Sequence, residues 1–559
     1  MVLLFFLMAL VALLVRLFML QIVYHREYLK LASRQHDFVE ELLSERGIIY
    51  AQDKDKNFVP LALNKNEKNL IASPKDIKNP ETAATILAKE FSLDKNELLK
   101  KLSRKDDAYE IIFKGIDVEQ AEKISAKLPQ GLFFEEGKRR TYPHSTIAAQ
   151  LLGFVSKEKD SDQGRYGLER FYNKDLSGEK GVFEGAKDAS GFWVALGKSI
   201  VNPAKNGANL LSTIDFNIQL KSEEVLKGVK QKWGASSGVL LVIDPKTGRV
   251  LALVVNPVFD PNAFAKEKDF SVFLNPLVES TYELGSVLKP ITMAGGLEER
   301  LITPDTTYED TGEVKVGGFK IQNFDQKAHG IQTMTQVLEK SLNTGAVYVA
   351  KLLGHEKQLA YLKKFGFGEK TFVDLPGEVT GNISNLKADR EIDFVTASFG
   401  QGIAVTPLQL AMAMGAMANE GKLMRPYAVE KITDDSGNER KIEPQVVRQI
   451  ISKETADTLT KMLISVVRSG FENKAGVKGY FVAGKTGTAQ IPKRDDRGYS
   501  DKVIHTFVGY APAFSPRFLV LLQLNEPKGN RFASNTLTPA FHDLAEYILN
   551  YYEVPPDEK

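Results

Sequence analysis

The N-terminal 23 residues constrain this chain most strongly, because they are almost entirely apolar. Residues 1–15 carry no polar side chain, and after Arg16 the apolar character continues to Val23, interrupted only by Gln21. At a rise of ~1.5 Å per residue, such a helix can cross the ~30 Å hydrocarbon core of a membrane. We therefore predict one N-terminal transmembrane helix, followed by a much larger body outside the bilayer.

A cleaved signal peptide is the alternative interpretation of this run. It would have a shorter apolar region and a cleavage site of small residues, and no convincing site of that kind is present. We therefore favour an uncleaved anchor. No lysine or arginine precedes the run, whereas Arg26, Lys30 and Arg34 follow it. The positive-inside rule alone would thus place the body in the cytoplasm.

Composition narrows the function classes of the remaining chain. With 559 residues, 43% of them hydrophobic, the chain is long enough for more than one domain. Lysine and arginine number 73 and aspartate and glutamate 71, so the net charge of +2 gives no reason to expect nucleic-acid binding. There is no cysteine, and the seven histidines lack metal-ligand spacing. We therefore predict no disulfide, no metal and no cofactor.

Ser286 and Lys289 form the first of three candidate catalytic motifs. On a helix, positions i and i+3 share a face, so the amine can reach the hydroxyl. A serine hydroxyl is a poor nucleophile unless a base removes its proton, so this pair indicates acyl transfer through a serine ester. The same spacing recurs in four polar segments typical of solvated surface, beginning at Ser92, Ser156, Ser177 and Ser384.

Ser341 and Asn343 form the second motif. A second hydroxyl can relay a proton between a lysine and a leaving group, and an asparagine amide can hold both a lysine and a substrate carbonyl. The alternative is a helix N-terminus with ordinary polar residues. Residues 436–438 repeat the same letters, and we interpret that copy as a turn.

The third motif comprises Lys485, Thr486, Gly487 and Thr488, which follow an apolar, β-prone segment and are predicted to lie on a strand. Gly487 would let another backbone approach closely. Lys485 supplies a positive charge, and the two threonines supply hydroxyls, for a carboxylate. Residues 246–248 repeat the first three letters between two apolar runs, and we interpret them as a hairpin turn.

In this order the three motifs resemble those of the penicillin-interacting serine acyltransferases, and most of all those of the class B penicillin-binding proteins. Further similarity to that family lies in residues 209–215, 282–290, 399–402 and 507–512. One departure is Leu284, which stands where the family commonly has proline. The resemblance extends from the N-terminus almost to the end of the chain.

The resemblance implies an α/β (α+β) catalytic domain like that of the serine β-lactamases, an antiparallel sheet with helices on both faces and an all-helical lobe. Ser286 would begin the central helix, Ser341 would lie on the helical side, and Lys485 would lie on the edge strand. Predicted strands at residues 239–243, 250–255 and 518–524 would belong to this sheet. Three segments distant in sequence would thus line one cleft.

Three domains are expected. They are a transmembrane anchor at residues 1–24, a non-catalytic α+β pedestal of the dimerisation type at 25–209, and a penicillin-binding transpeptidase domain at 210–559. Within the pedestal, residues 28–43 are predicted to be helical. Asp94 and Asp117 have the spacing of capping residues and are predicted to begin two short helices.

The resemblance also implies roles for single residues. Catalysis would use Ser286, Lys289, Ser341, Asn343 and Lys485. Substrate binding would use Thr486, Gly487 and Thr488. The implied reaction is D,D-transpeptidation, in which peptidoglycan stem peptides are cross-linked through an acyl-serine intermediate, and β-lactams would acylate the same serine. Nothing in this implied chemistry requires a cofactor.

The same resemblance implies a location and partners. The chain would be a single-pass protein of the cytoplasmic (inner) membrane with its catalytic domain in the periplasm, opposite to the orientation that the flanking charges alone predict. Because the sequence contains no candidate glycosyltransferase domain, a SEDS-family glycosyltransferase of the FtsW type and other divisome proteins are the implied partners. A short pedestal without a long insertion favours a division role. An elongation-type transpeptidase and a non-enzymatic penicillin sensor or scaffold are the alternatives.

Overall fold

A computed structural model describes residues 2–25, 37–42, 44–158, 161–186, 199–388, 390–470, 472–493 and 498–558. The chain divides into two compact units. The first contains residues 1–47, 174–208 and 434–438, and the second contains residues 48–173, 209–433 and 439–559. Each unit is described by itself.

The first unit begins with an apolar helix. The α-helix Val2–Phe18 continues as a π-helix, Met19–Val23. Within them, Leu3–Val23 is long and apolar enough to cross a membrane. Its side chains are exposed along this whole stretch, which is unfavourable in water and favourable in lipid. The helix thus agrees with the predicted anchor.

The first unit also contains a small antiparallel sheet. Its three strands, in spatial order, are Asp37–Leu42, Gly181–Ala186 and Ser199–Asn202. The prediction that residues 28–43 are helical is therefore wrong for Asp37–Leu42, while residues 26–36 and 43 lie outside the described part of the chain. Pairing with a distant strand overrides a local preference, because strand formation depends on cross-strand partners more than on the segment itself.

A seven-stranded sheet dominates the N-terminal part of the second unit. Six strands follow each other in the order Glu439–Lys441, Val429–Thr433, Asn209–Asp215, Ile49–Gln52, Phe58–Ala72 and Glu110–Ile116, and Leu132–Thr141 also pairs with the long strand Phe58–Ala72. Asn209–Asp215 runs parallel to Ile49–Gln52 and antiparallel to Val429–Thr433. One sheet thus joins strands from residues 49–141 with strands from beyond residue 208.

Short helices cover part of this sheet. They are Pro74–Asp76, Pro80–Phe91, Lys95–Leu102 and Val118–Ser125. The short helices that follow in sequence are Ala149–Leu152, Gly167–Phe171 and Asn173–Ser177. Asp94 accepts hydrogen bonds from the second and third residues of its helix, as predicted. Asp117 precedes a helix but makes no capping bond. Its carboxylate pairs with Lys65 instead, because an opposite charge competes with the backbone for the same oxygens.

The second unit contains a second, five-stranded antiparallel sheet, here called the central sheet. Its strands, in spatial order, are Val250–Asn256, Ser237–Ile243, Phe518–Asn525, Tyr499–Ala511 and Ala483–Pro492. The three strands predicted for this sheet are confirmed. The turn predicted at residues 246–248 is also confirmed, because it joins the first two of these strands in a hairpin.

Helices pack on both faces of the central sheet. Successive residues of a strand point to opposite faces. A side chain at Gly509 would meet Phe541, on the helix Thr538–Tyr551. The hydroxyl of the next residue, Tyr510, forms a hydrogen bond with the hydroxyl of Thr460, on the helix Lys453–Ser465. The expected arrangement of a sheet between two helical layers is therefore present.

Beyond residue 215, most helices lie in sequence between the strands Val250–Asn256 and Ala483–Pro492 of the central sheet. The helical segments beyond residue 215 are Phe216–Lys232, Pro261–Lys266, Phe270–Phe273, Pro276–Glu279, Gly285–Leu288, Lys289–Glu298, Met334–Glu339, Asn343–Leu353, His355–Lys364, Ser384–Lys387, Glu391–Ala397, Pro407–Ala418, Lys453–Ser465, Val466–Gly470, Ala533–Thr536 and Thr538–Tyr551. Five two-stranded pairs complete the described structure: Phe154–Glu158 with Ser161–Arg165, Tyr282–Glu283 with Ala404–Val405, Thr307–Asp310 with Gly330–Thr333, Glu313–Val316 with Phe319–Gln322, and Lys422–Met424 with Val446–Gln449.

Candidate active site

Ser286 lies where a 3-10 helix becomes the buried helix of the catalytic part. The 3-10 helix Gly285–Leu288 leads directly into the α-helix Lys289–Glu298. Pro290 occupies the first turn of that α-helix, where its fixed φ and missing N–H are tolerated. The predicted i, i+3 relationship holds across this junction, because the Nζ of Lys289 lies 3.0 Å from the Oγ of Ser286.

Lys289 is completely buried, and its amine has three oxygen neighbours. Besides Ser286, the Nζ donates to the backbone carbonyl of Ser341 and lies 3.3 Å from the Oγ of Ser341. Burial lowers the pKa of Lys289 well below the usual range of a lysine, and the positive charge of Lys485 lowers it further. A lysine with a depressed pKa is neutral part of the time and can then accept a proton.

Ser341 lies between two helices, Met334–Glu339 and Asn343–Leu353. Its φ of 53° is in the left-handed region, which is uncommon for a residue other than glycine. Its hydroxyl accepts a hydrogen bond from the Nζ of Lys485 at 3.1 Å. Strained backbone of this kind persists only where the surroundings fix it. Ser341 thus connects the two buried lysines of the site.

Lys485 lies on the edge strand Ala483–Pro492 of the central sheet, as predicted. Its side chain is completely buried, and its Nζ also donates to the carbonyl of Thr486 at 3.1 Å. Burial lowers the pKa of Lys485 to about 7. The amine can therefore carry a positive charge near neutral pH and attract an anionic group of a ligand.

Gly487 brings this edge strand against the segment that carries Ser286. A Cβ at this position would lie 2.7 Å from the carbonyl oxygen of Leu284 and 3.1 Å from the backbone nitrogen of Val287. No other residue type fits without a shift of the backbone. On either side of it, Thr486 and Thr488 face the cleft, and the Oγ1 of Thr488 accepts from the N–H of Ala533 at 3.3 Å.

Asn343 lines the same cleft but makes different contacts from those predicted. Its Nδ2 donates to the carbonyl of Gln322 at 2.8 Å, and its side chain makes no hydrogen bond with Lys289 among the described residues. The reason is local, because Asn343 is the first residue of a helix and its side chain reaches back to the neighbouring hairpin. Its amide can still meet a ligand from the cleft side.

The cleft that these residues share has a volume of about 1560 Å³. Its walls include segments that sequence reasoning did not identify, namely residues 319–322, 324–325, 527 and 529–534. Glu283 was also missed. Its carboxylate accepts from the hydroxyl of Tyr499 at 2.9 Å and from the N–H of Gly402 at 3.2 Å, joining three chain segments behind the site. The only sequence signal for Glu283 and Gly402 is the family resemblance of residues 282–290 and 399–402.

The site therefore combines a nucleophile, a base, a second hydroxyl and a buried cation around one cleft. Ser286 and Thr488 both line this cleft, and their backbone N–H groups belong to the two segments that Gly487 brings together. Such an arrangement suits acyl transfer, in which a serine attacks a carbonyl and amide donors stabilise the resulting oxyanion.

Comparison with known proteins agrees with this geometry. The family model described as "Penicillin binding protein transpeptidase domain" matches residues 238–546, and the one described as "Penicillin-binding Protein dimerisation domain" matches residues 41–212. The chain is 34% identical to Stage V sporulation protein D of Bacillus subtilis over 92% of this chain and 79% of that relative. It is 29% identical to the peptidoglycan D,D-transpeptidase FtsI of Buchnera aphidicola, over 90% and 87% of the two chains.

A solved structure agrees as well. The crystal structure of penicillin-binding protein 3 from Mycobacterium tuberculosis, in complex with aztreonam, matches with a TM-score of 0.71 and 26% sequence identity, over 92% of this chain and 98% of that one. The match to a transpeptidase family model over more than half of the sequence, together with these relatives, establishes the family. The chain belongs to the class B penicillin-binding proteins and is a serine-type D,D-transpeptidase of that family.

Proposed function

We propose that this protein cross-links peptidoglycan during septal cell-wall synthesis and that Ser286 is its nucleophile. One observation carries the assignment of Ser286: its hydroxyl lies 3.0 Å from a completely buried lysine amine whose pKa is depressed. A neutral Lys289 would take the hydroxyl proton as Ser286 attacks the carbonyl between the two D-alanines of a stem peptide.

The other motif residues would complete the acylation step. The backbone N–H groups of Ser286 and Thr488 would stabilise the oxyanion. Lys485, Thr486 and Thr488 would hold the terminal carboxylate, with Gly487 keeping that strand close. Ser341, placed between Lys289 and Lys485, would pass a proton to the departing D-alanine amine as the peptide bond breaks. Asn343 would hold a substrate amide.

Deacylation would form the cross-link. An amine of a neighbouring stem peptide would attack the acyl-serine ester and lose a proton to Lys289. As the ester C–O bond breaks, Lys289 would return this proton to the Oγ of Ser286. A β-lactam would be opened by the same attack and would leave Ser286 acylated. The mycobacterial structure was solved in complex with aztreonam, which supports β-lactam binding by this chain.

The domain division and the location form part of this proposal. Residues 1–24 would anchor the chain in the cytoplasmic membrane, residues 25–209 would form the pedestal, and residues 210–559 would act as the transpeptidase domain in the periplasm. The apolar helix Leu3–Val23 supports the anchor. An FtsW-type SEDS glycosyltransferase and other divisome proteins would be the partners, contacting the anchor and supplying glycan strands.

The division role is inferred from the relative named FtsI. The relative named for stage V of sporulation and the elongation-type enzymes are the competing roles. A fluorescent fusion of the full chain, expressed in place of the native gene, would separate them. Concentration at midcell supports the division role, while distribution along the lateral wall or around a forespore contradicts it.

The enzymatic assignment is tested by labelling membranes with a fluorescent penicillin. We expect one labelled band at the mass of the full chain in wild type and none in Ser286→Ala. Ser436→Ala, in an exposed turn, is the matched control and should label like wild type. A covalent adduct on Ser286→Ala would refute the assignment of the nucleophile.

A further inference from the structure

The helix that follows Ser341 has no cap of its own. Its N-cap position is Leu342, which has no side-chain acceptor, yet the first N–H groups of any helix need one. Asn323 provides it. The Oδ1 of Asn323 accepts from the N–H of Asn343 at 2.9 Å and from the N–H of Thr344 at 3.3 Å. The cap therefore comes from the residue that follows the strand Phe319–Gln322, 20 residues before Asn343 in the chain.

Asp310 fixes the orientation of this cap. The Nδ2 of Asn323 donates to both carboxylate oxygens of Asp310, at 3.0 and 2.9 Å. The Oγ1 of Thr344 donates to Asp310 as well, at 2.7 Å. Asp310 and Asn323 are 1% and 2% exposed. A buried carboxylate that accepts this many bonds leaves the amide only one way to face, with its oxygen toward the helix.

The helix start that is capped in this way determines where Ser341 lies. Asn343 is held twice, by Asn323 through its N–H and by the carbonyl of Gln322 through its Nδ2. Ser341 precedes it by two residues and adopts a left-handed backbone conformation. Such a conformation is maintained only by its surroundings. The two bonds that hold Asn343 therefore also determine where the hydroxyl of Ser341 lies.

We infer that Asn323, oriented by Asp310, is a positioning residue that places Ser341 between Lys289 and Lys485. This inference deepens the proposed function and rests on it. The segment that follows Asn323 carries Phe324, Asp325 and His329, which line the cleft. A ligand that contacts this wall thus touches the residues next to the one that caps the helix of Ser341.

The test is the acylation of the purified full chain by a fluorescent penicillin, measured by stopped flow. This method separates the dissociation constant of the reversible complex from the rate constant of acylation. For Asn323→Ala we expect acylation to slow by about 100-fold, the usual effect of a catalytic group displaced by ~1 Å. The dissociation constant should stay near its wild-type value, because Lys485, Thr486 and Thr488 remain in place.

Asn275→Ala is the matched control. Asn275 is also a buried asparagine that caps a helix, Pro276–Glu279, but that helix carries none of the motif residues. If both variants lose thermal stability and only Asn323→Ala loses acylation rate, the positioning role is supported. Equal acylation rates in the two variants overturn it.

A charge exchange provides a second test that preserves side-chain volume. Asn323→Asp alone places two carboxylates side by side and should slow acylation. The double variant Asp310→Asn with Asn323→Asp restores one amide and one carboxylate, so at least part of the rate should return. Absence of any recovery in a folded double variant contradicts the inference. Failure of the wild type itself to react would instead refute the proposed function.

Discussion

Lys289 and Lys485, both completely buried, share the hydroxyl of Ser341, which lies 3.3 Å from the first amine and 3.1 Å from the second. Two ammonium groups this close repel each other, and burial penalises both charges. The two lysines therefore favour different protonation states, with Lys289 as the more depressed of the pair because Lys485 acts on it. This difference in pKa suits Lys289 to act as the base and Lys485 to remain the cation.

Lys289→Arg should abolish rapid acylation. A guanidinium keeps its proton in proteins and cannot act as a base, so we expect a loss of about 10²- to 10⁴-fold, the range typical of general-base catalysis. Stopped-flow acylation by a fluorescent penicillin measures the rate. Lys246→Arg, in the hairpin turn that repeats the third motif, is the control and should react like wild type. A Lys289→Arg protein that reacts at the wild-type rate would exclude Lys289 as the base.

Acylation should have a bell-shaped pH dependence. The rate should rise with pH as Lys289 loses its proton, and fall again as Lys485, whose pKa burial lowers to about 7, loses the charge that attracts a carboxylate. Because the two amines interact, the two apparent pKa values of this profile belong to the pair of lysines and not to either residue alone.

Lys485→Gln tests the sign of this coupling. Removing a positive neighbour stabilises protonated Lys289, so its pKa rises and the ascending limb of the profile should move to higher pH. Lys485→Arg keeps the charge and should leave that limb near its wild-type position. An ascending limb that moves to lower pH in Lys485→Gln would contradict the electrostatic account.

Gly487→Ala should lower both stability and acylation rate. The added Cβ would overlap the carbonyl of Leu284, and overpacking of this kind costs about 1–3 kcal/mol. Relief of the overlap would push the edge strand away from Ser286. Gly228→Ala is the matched control, because Gly228 lies in the helix Phe216–Lys232 with open space around it. It should be neutral or stabilising by up to ~1 kcal/mol. Equal melting temperatures in the two variants would argue against the close approach.

His505 should make the folded protein sensitive to acid. The ring is completely buried between Thr536 and the carbonyl of Arg531, and burial lowers its pKa to about 4. The unfolded chain binds the same proton at about pH 6.5. Stability from the neutral ring is therefore fully present above that pH and is lost as the pH falls towards 4.

The expected loss is about 3 kcal/mol, from the difference between the two pKa values. His505→Gln removes the titrating group, so the free energy of unfolding, measured in urea at several pH values, should fall less steeply in this range. Identical slopes for the variant and wild type would show that His505 is not responsible.

The sequence predicted that three distant motifs would meet at one cleft, and the structure brings them together there. The letters of each motif recur elsewhere in the chain, so the motif residues at 286–289, 341–343 and 485–488 were identified by their setting, their order and the family resemblance. Residues 246–248 and 436–438, which repeat motif letters, were correctly interpreted as turns. Each segment joins two antiparallel strands that pair with each other. The strand Asp37–Leu42 was missed, since its partner lies about 140 residues away.

The support of the site was not predictable for the same reason. Asp310 ends one strand and Asn323 directly follows another, and only the folded chain brings them to the start of the helix at Asn343. Likewise, the wall that includes Arg531 and Ala533 is held at the cleft by His505 and Thr488, which lie opposite each other on two strands. Contacts between distant segments leave no local pattern in the sequence.

The parallel pairing of Asn209–Asp215 with Ile49–Gln52 limits how this protein can be recombined with its relatives. A chimera that joins its first 208 residues to another catalytic part must also match the hydrogen-bonding register of Leu210 with Ile49. Otherwise it would expose an unpaired strand edge, a known route to aggregation. The segment that carries Ile49 and the segment that carries Leu210 must therefore change together in evolution or in design, even where their biochemical tasks are separate.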